Sequence, residues 1–194
     1  KKVYDDLSFY MKDKVEYIGF QDILFYHLDA KDRSEEAKRL KVLLKLAKGE
    51  NIILVTSIEA VMRKYIPKEI LLENIYTYKI GDVINLEKLS ETLVNLGYER
   101  VSKIEGFGQF SIRGGIVDIF SLENNNPIRM ELFDDEIDSI RTFDVFSQKS
   151  IDKIKKVVIT PSREFIYPED TTSAVEKIKA ETNKYTDDDV LKNI

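Results

Sequence analysis

The stretch from Gly97 to Asp144 constrains the fold of this chain most, because apolar and polar residues alternate through it with the period of two that a β-strand imposes. Short turns rich in glycine, asparagine and aspartate separate its segments, and such short connections force most neighbouring strands to pair antiparallel. The alternation, continued past Asp144, predicts six strands, at residues 98–104, 109–113, 116–120, 128–133, 137–144 and 153–160. We therefore expect a mainly antiparallel sheet in the second half of the chain.

The first half of the chain has a different pattern, in which helices alternate with a strand. Leucines and alanines at helical spacing in residues 37–47 predict a helix that ends at Gly49. Residues 51–56, NIILVT, carry apolar side chains on both faces, which is typical of a strand covered by helices on both sides. Ser57 is placed to cap a following helix, which Pro67 stops. This order is typical of a parallel α/β layer.

That layer is incomplete in the sequence. Only one other candidate strand, at residues 15–20, precedes it, whereas a parallel sheet needs several such units. The chain also opens at Lys1 without a methionine, so we expect a fragment of a longer protein. No GxxxxGK[ST] motif occurs, and the sequence therefore predicts no phosphate-binding loop of that type.

Charge and residue types argue against several classes of function. The chain has 35 acidic and 30 basic residues, so no global basic field favours autonomous binding of DNA or RNA. It has no cysteine and one histidine, His27, which argues against thiol catalysis, a Ser/His/Asp triad and a zinc site. The acidic residues at 134–138 fit a hairpin turn better than a metal site. We predict no catalytic, cofactor-binding or metal-binding residues in this chain.

No segment reaches the roughly 20 apolar residues that span a bilayer, and the first residues do not form a secretion signal. We therefore expect no membrane partner and a soluble, cytoplasmic protein.

The strand predicted at 128–133 carries side chains that point away from the core. Residues two apart share one face of a strand. The inward set is Ile128, Met130 and Leu132. The outward set is Arg129, Glu131 and Phe133, in which Arg129 and Phe133 are about 13 Å apart. An exposed aromatic ring near a guanidinium group is typical of the anchors of protein interfaces.

A second arginine, Arg113, points outward by the same rule and joins this surface if the two strands are neighbours. The alternative is an ordinary surface. In that case the arginines pair with Glu131 or Asp118, each pair contributing about 0 to 1 kcal/mol, and Phe133 packs under a loop. The residues by themselves leave both possibilities open.

The run GYERVSKIEGFGQFSIRGGIVDIF at residues 97–120, followed by PIRMELFDDEIDSIRTFD and SQKS, closely resembles a domain of the bacterial transcription-repair coupling factors. It is the second domain of these proteins, and they share it with the excision-repair subunit UvrB. Upstream, DILFY, RLKVLLKL and IILVTSIEAVMRKYIPKEIL resemble the end of the coupling factors' first domain.

The resemblance implies a fold of the α/β plus α+β class with three parts. Residues 1–80 would form part of a helicase-like parallel α/β layer that lacks a nucleotide motif. Residues 81–164 would form a mainly antiparallel module like the second domain of UvrB. Residues 165–194 would return toward the first domain.

In this family the second domain binds UvrA, so the resemblance implies a non-catalytic module that recruits nucleotide excision repair to stalled RNA polymerase. It places the family's binding arginines on Arg113 and Arg129 and its aromatic residue on Phe133. We add Glu131, as a residue that tunes the charge of the arginines. RNA polymerase, DNA, ATP and magnesium would bind regions outside this chain, which make the full-length protein an ATP-dependent DNA translocase. A further hypothesis is that another domain of that protein masks the UvrA-binding face.

The alternative function is that of a UvrB fragment that contributes to ATP-dependent handling of DNA damage. Two departures favour the coupling factor. The segment between Thr56 and Gly81 is too short for the DNA-clamping insertion of UvrB. Residues 57–60, SIEA, stand where UvrB would continue into a YGLG-like motif.

Overall fold

The computed structural model describes residues 2–20 and 31–166, together with residues 175–176 and 179–180. Within these ranges, the side chains of residue 13 and of residues 31–34 are not described. His27 lies outside the described residues, as does most of a helix that the sequence predicts at 172–184.

The first part of the structure contains helices around two strands. Its elements are α1 (Lys2–Met11), a 3-10 turn (Lys12–Lys14), β1 (Val15–Ile18), α2 (Lys31–Ala47), β2 (Ile53–Thr56), α3 (Ile58–Met62) and α4 (Lys68–Glu73). Strands β1 and β2 pair in parallel. Among the described residues the expected helicase-like layer is limited to these two strands, and the residues of β2 are half-buried rather than fully covered.

The region after β2 differs from its prediction in one respect. Ser57 caps α3 as expected, because its hydroxyl accepts a hydrogen bond from the backbone N–H of Ala60 at 3.3 Å. However, α3 ends at Met62, since Arg63 takes extended backbone angles (φ −69°, ψ 144°). Pro67 does not stop this helix but precedes a new one, α4, where its missing N–H leaves no helical hydrogen bond unmade.

The second part is built on one helix and a large sheet. Its elements are β3 (Tyr76–Lys79), α5 (Leu86–Asn95), β4 (Glu99–Arg100), β5 (Gln109–Arg113), β6 (Ile116–Ile119), β7 (Ile128–Phe133), β8 (Glu136–Phe143), β9 (Ser150–Ile154) and β10 (Lys156–Ile159). Strands β4 to β9 form a six-stranded sheet in sequence order, in which every pair except β4–β5 is antiparallel. The predicted mixed fold with mainly antiparallel strands is confirmed for this part.

Two of the predicted strands differ from the structure by more than one residue at an end. The strand predicted at 98–104 is reduced to the two residues of β4, which pair in parallel with β5. The strand predicted at 153–160 is two strands. One is β9, at the edge of the large sheet, and the other is β10, which pairs antiparallel with β3 in a sheet of its own.

One face of the large sheet packs on α5. Leu89 and Leu93 of this helix are buried in one cluster with residues of the sheet and of β10. The sheet and β10 contribute Phe110, Val117, Ile119, Ile128, Met130, Ile137, Ile140, Val157 and Ile159. The other face of the sheet is therefore free of this helix.

Apolar contacts and ion pairs join the two parts of the structure. Leu122, from the second part, is buried in a cluster with Leu40 and Leu44 of α2. Arg39 donates to Glu164 at 2.6 Å, and Lys48 donates to Glu123 at 2.7 Å. Because these contacts link residues distant in sequence, they fix α2 against the second part.

Gly97 ends α5 in a left-handed conformation (φ 84°), and the N–H groups of Gly97 and Tyr98 donate to the carbonyls of Val94 and Leu93, both at 2.9 Å. A Cβ atom at this position would lie 2.3 Å from Cγ of Arg163. Gly49 ends α2 in the same way (φ 73°), but a Cβ there would meet nothing within 4 Å.

We expect Gly97→Ala to lower the free energy of unfolding by about 2 kcal/mol, because it adds a steric clash to the strain of a left-handed alanine. Gly49→Ala is the matched control and should cost about 1 kcal/mol, from the backbone strain alone. Urea unfolding of the two variants measures the difference. Equal costs would show that Arg163 moves aside freely.

Candidate functional site

The face of the large sheet opposite α5 carries a network of charged side chains, and we call it the polar face. Its charged residues are Arg113 on β5, Asp118 on β6, Arg129 and Glu131 on β7, and Arg141 on β8, and Phe133 lies on the same face at the end of β7. Strands β5 and β7 are not neighbours, because β6 lies between them, but Arg113 still joins the surface of β7 through Asp118 of β6.

Asp118 lies at the centre of the network, with its side chain only 3% exposed. Its Oδ1 accepts a hydrogen bond from Nε of Arg129 at 2.6 Å, and its Oδ2 accepts one from Nη2 of the same arginine at 2.8 Å. The Oδ2 atom also accepts from Nη2 of Arg113 at 2.8 Å. One buried carboxylate therefore holds two arginines, the first of them in a bidentate geometry.

Arg129 is held from several sides. Its guanidinium carbon lies 4.5 Å from the ring centroid of Phe143, which is buried, and Nη2 donates to Oε1 of Gln148 at 3.4 Å. The hydrogen bonds to Asp118 raise the pKa of the Arg129 guanidinium above its ordinary value. Arg129 is therefore charged and fixed in position. Arg113 has half of its side chain exposed and is held by its ion pair with Asp118.

Glu131 forms a second ion pair on the same face. Its carboxylate pairs with Arg141 on β8 and accepts a hydrogen bond from the hydroxyl of Ser139 at 2.9 Å. The hydrogen bond from Arg141, followed by the one from Ser139, lowers the pKa of Glu131. Glu131 is therefore ionised at neutral pH and its charge is balanced by Arg141.

Phe133 stands apart from this network at the end of β7. It is 81% exposed and precedes the hairpin turn at Asp134, which has a positive φ of 60°. Across the strands it lies opposite Glu136, which is bridged in turn to Val83, itself 66% exposed. The end of the sheet therefore presents an aromatic and an aliphatic side chain to solvent.

The structure brings together three of the four residues that the sequence indicates. Arg113 and Arg129 meet on Asp118, which is the pairing of the ordinary-surface alternative, and Glu131 lies beside them. The other half of that alternative does not occur among the described residues, where no loop covers Phe133. Ser111 also lies on this face but is buried, and its hydroxyl donates to the carbonyl of Ser102 at 3.2 Å.

Arg141 and Phe143 are part of the polar face, and sequence reasoning did not identify them. Counting by twos from Ile137 would place both on the core face of β8. The register of β8 shifts, however, so that Leu132 opposes Ile137 while Glu131 opposes Ser139, with one extra residue between them. This bulge turns Arg141 to the polar face. A charged residue at a predicted core position was the signal that could have revealed it.

Within the described residues, no group of three or more histidine or acidic side chains is arranged to hold a metal ion. Among the described helices, none has the length and apolar character needed to cross a membrane.

Residues 77–165, which include the whole polar face, match the family model of the UvrB interaction domain. Curated proteins named transcription-repair-coupling factor are similar over most of the chain. The protein of Bacillus subtilis (strain 168) is 37% identical over 187 residues, covering 92% of this chain and 15% of that protein. The protein of Staphylococcus aureus (strain USA300) is 35% identical over 169 residues, covering 87% and 14%.

A third relative, from Staphylococcus epidermidis (strain ATCC 35984), is 31% identical over 194 residues, covering 100% of this chain and 16% of that protein. The chain thus spans 14% to 16% of the length of the three relatives.

Proposed function

Because this chain belongs to the transcription-repair-coupling factor family and contains the UvrB interaction domain, we propose that it is a non-catalytic module that binds UvrA. In the full-length protein, UvrA binding would recruit nucleotide excision repair to a stalled RNA polymerase. The contact residues that we propose are Arg113, Arg129, Glu131 and Phe133.

The observation that carries this proposal is the position of Phe133. This ring is 81% exposed in a strand that also directs Arg129 and Glu131 to the same face. Exposing a phenyl ring loses about 2 kcal/mol of burial energy, which a protein partner recovers by covering it. The neighbouring charges are already fixed by Asp118 and Arg141, so little side-chain entropy is lost when the partner binds.

The charges of the polar face favour a protein over a nucleic acid as the partner. Asp118 balances Arg129, and Arg141 balances Glu131, so the face is not a field of free cations. The chain as a whole carries a net charge of −5. Binding to a phosphate backbone draws its free energy from many unbalanced lysines and arginines, which this face does not offer.

The remaining activities of a coupling factor are proposed for regions outside this chain. They are contacts with RNA polymerase and DNA, and ATP-driven translocation with magnesium. The chain itself should therefore not hydrolyse ATP. Masking of the polar face by another domain would regulate the same contact, and it can be tested only in the full-length protein.

Titration calorimetry of the purified chain with UvrA tests the proposal. We expect saturable binding and no ATP hydrolysis by the chain alone. Binding should weaken as the salt concentration rises, because Arg113, Arg129 and Glu131 belong to the proposed contact. Absence of binding would overturn the proposed function, and ATP hydrolysis by the chain would overturn its non-catalytic character.

A further inference from the structure

Five residues of the polar face form a straight row across the sheet. Each is directly opposite the next on the neighbouring strand, from β5 to β9. The row runs Ser111, Asp118, Arg129, Arg141, Lys153. Strands are about 4.8 Å apart, so the Cα atoms of the three cationic residues at its end lie within about 10 Å of each other across the sheet.

This arrangement is unfavourable for the isolated domain. Like charges directly opposite each other destabilise a pair of strands, and the row contains two such pairs, Arg129 with Arg141 and Arg141 with Lys153. The ion pair with Asp118 balances the charge of Arg129, and the ion pair with Glu131 balances the charge of Arg141. Lys153 is exposed, and no described carboxylate forms an ion pair with it. One positive charge of the row is therefore unbalanced.

Arg141 is also incompletely satisfied. Its two terminal nitrogens contact Glu131 and, at 3.4 Å, the hydroxyl of Ser150. Its Nε is buried and has no hydrogen-bond partner among the described residues. A buried donor without a partner is unfavourable by about 1 to 3 kcal/mol. The half of the row on β8 and β9 thus has both an excess of charge and an unused donor.

We propose that the UvrA-binding surface extends along this row onto β8 and β9, where Arg141 and Lys153 contact an acidic part of the partner. The inference rests on the proposed function and enlarges its site from β5 and β7 to the edge of the sheet. An acidic partner fits because its carboxylates would balance Lys153 and reduce the repulsion between the two cross-strand cation pairs. The row also continues directly from Arg129, so one partner surface reaches both ends.

Charge reversal at Lys153 tests this extension without disturbing the core. In Lys153→Glu the new carboxylate lies opposite Arg141, which replaces a repulsive cross-strand pair by an attractive one. We expect UvrA binding to weaken about tenfold at low salt, and the loss to shrink at high salt. The melting temperature should stay the same or rise by about 1 to 2 °C. Lys153→Gln should give a smaller loss in the same direction.

The matched control is Lys88→Glu, an equal change of charge at an exposed residue of α5, on the other side of the sheet. It should leave UvrA affinity unchanged. Equal losses in Lys88→Glu and Lys153→Glu would mean that affinity follows net charge, and would overturn the extension. Wild-type affinity in Lys153→Glu would also overturn it, while leaving the proposed function intact if Phe133→Ala still loses binding. A wild-type chain that does not bind UvrA overturns both.

Discussion

Replacing Phe133 with alanine is expected to weaken UvrA binding about 30-fold or more, which corresponds to at least about 2 kcal/mol. The ring is 81% exposed, so its removal takes contact area from the interface and almost none from the core. The midpoint of thermal unfolding should therefore not change. Calorimetric titration of UvrA with the variant measures the affinity, and circular dichroism on heating measures the stability.

Phe146 provides the control for this experiment. It is 91% exposed and follows β8, at the end of the β7–β8 ladder where Ile128 opposes Thr142, whereas Phe133 lies at the other end. Phe146→Ala removes a similarly exposed ring from the same domain, and we expect it to bind UvrA like the wild type. Equal losses in the two variants would mean that exposed rings contribute nonspecifically. Full affinity in Phe133→Ala would remove Phe133 from the site.

The faces of β7 could be predicted from the sequence because one face of this strand packs on the core. Ile128 and Met130 are fully buried, and alternation then fixes Arg129, Glu131 and Phe133 on the other side. The ends of α2 and α5 were predictable for a related reason. Each of these helices is a run of apolar residues at helical spacing followed by a glycine, which indicates a helix end from local sequence alone. Both glycines have the positive φ that such an end requires.

The partners of the charged residues could not be predicted from the sequence. The chain has 35 acidic residues, and nothing local distinguishes Asp118, which is buried between two arginines, from the exposed Asp138. Burial of Asp118 depends on the register of β5, β6 and β7, which brings Arg129 directly opposite it. The bulge in β8 is equally nonlocal, since one extra residue reverses the faces of Arg141 and Phe143.

Asp118→Ala is expected to lower the free energy of unfolding by about 3 kcal/mol, because it removes one partner of a buried ion pair and leaves the other charged. The side chain of Arg129 is only 17% exposed, so its guanidinium cannot be fully hydrated without leaving Phe143. It would also face Arg141 without the carboxylate to which it is hydrogen-bonded. Denaturant unfolding of the variant measures the loss. Asp138→Ala, at an exposed position of the same sheet, should change the stability by less than about 0.5 kcal/mol.

A double variant separates the loss of the pair from the presence of an unpaired charge. In Asp118→Ala combined with Arg129→Met, the buried cation is absent, and an apolar side chain of similar length lies over Phe143. Arg113 stays half exposed and can be hydrated. The double variant should therefore be more stable than Asp118→Ala alone. If it is less stable, the loss comes from packing and not from the unpaired guanidinium. Asp118 would then stabilise the domain through its packing and not by balancing the charge of Arg129 on the polar face.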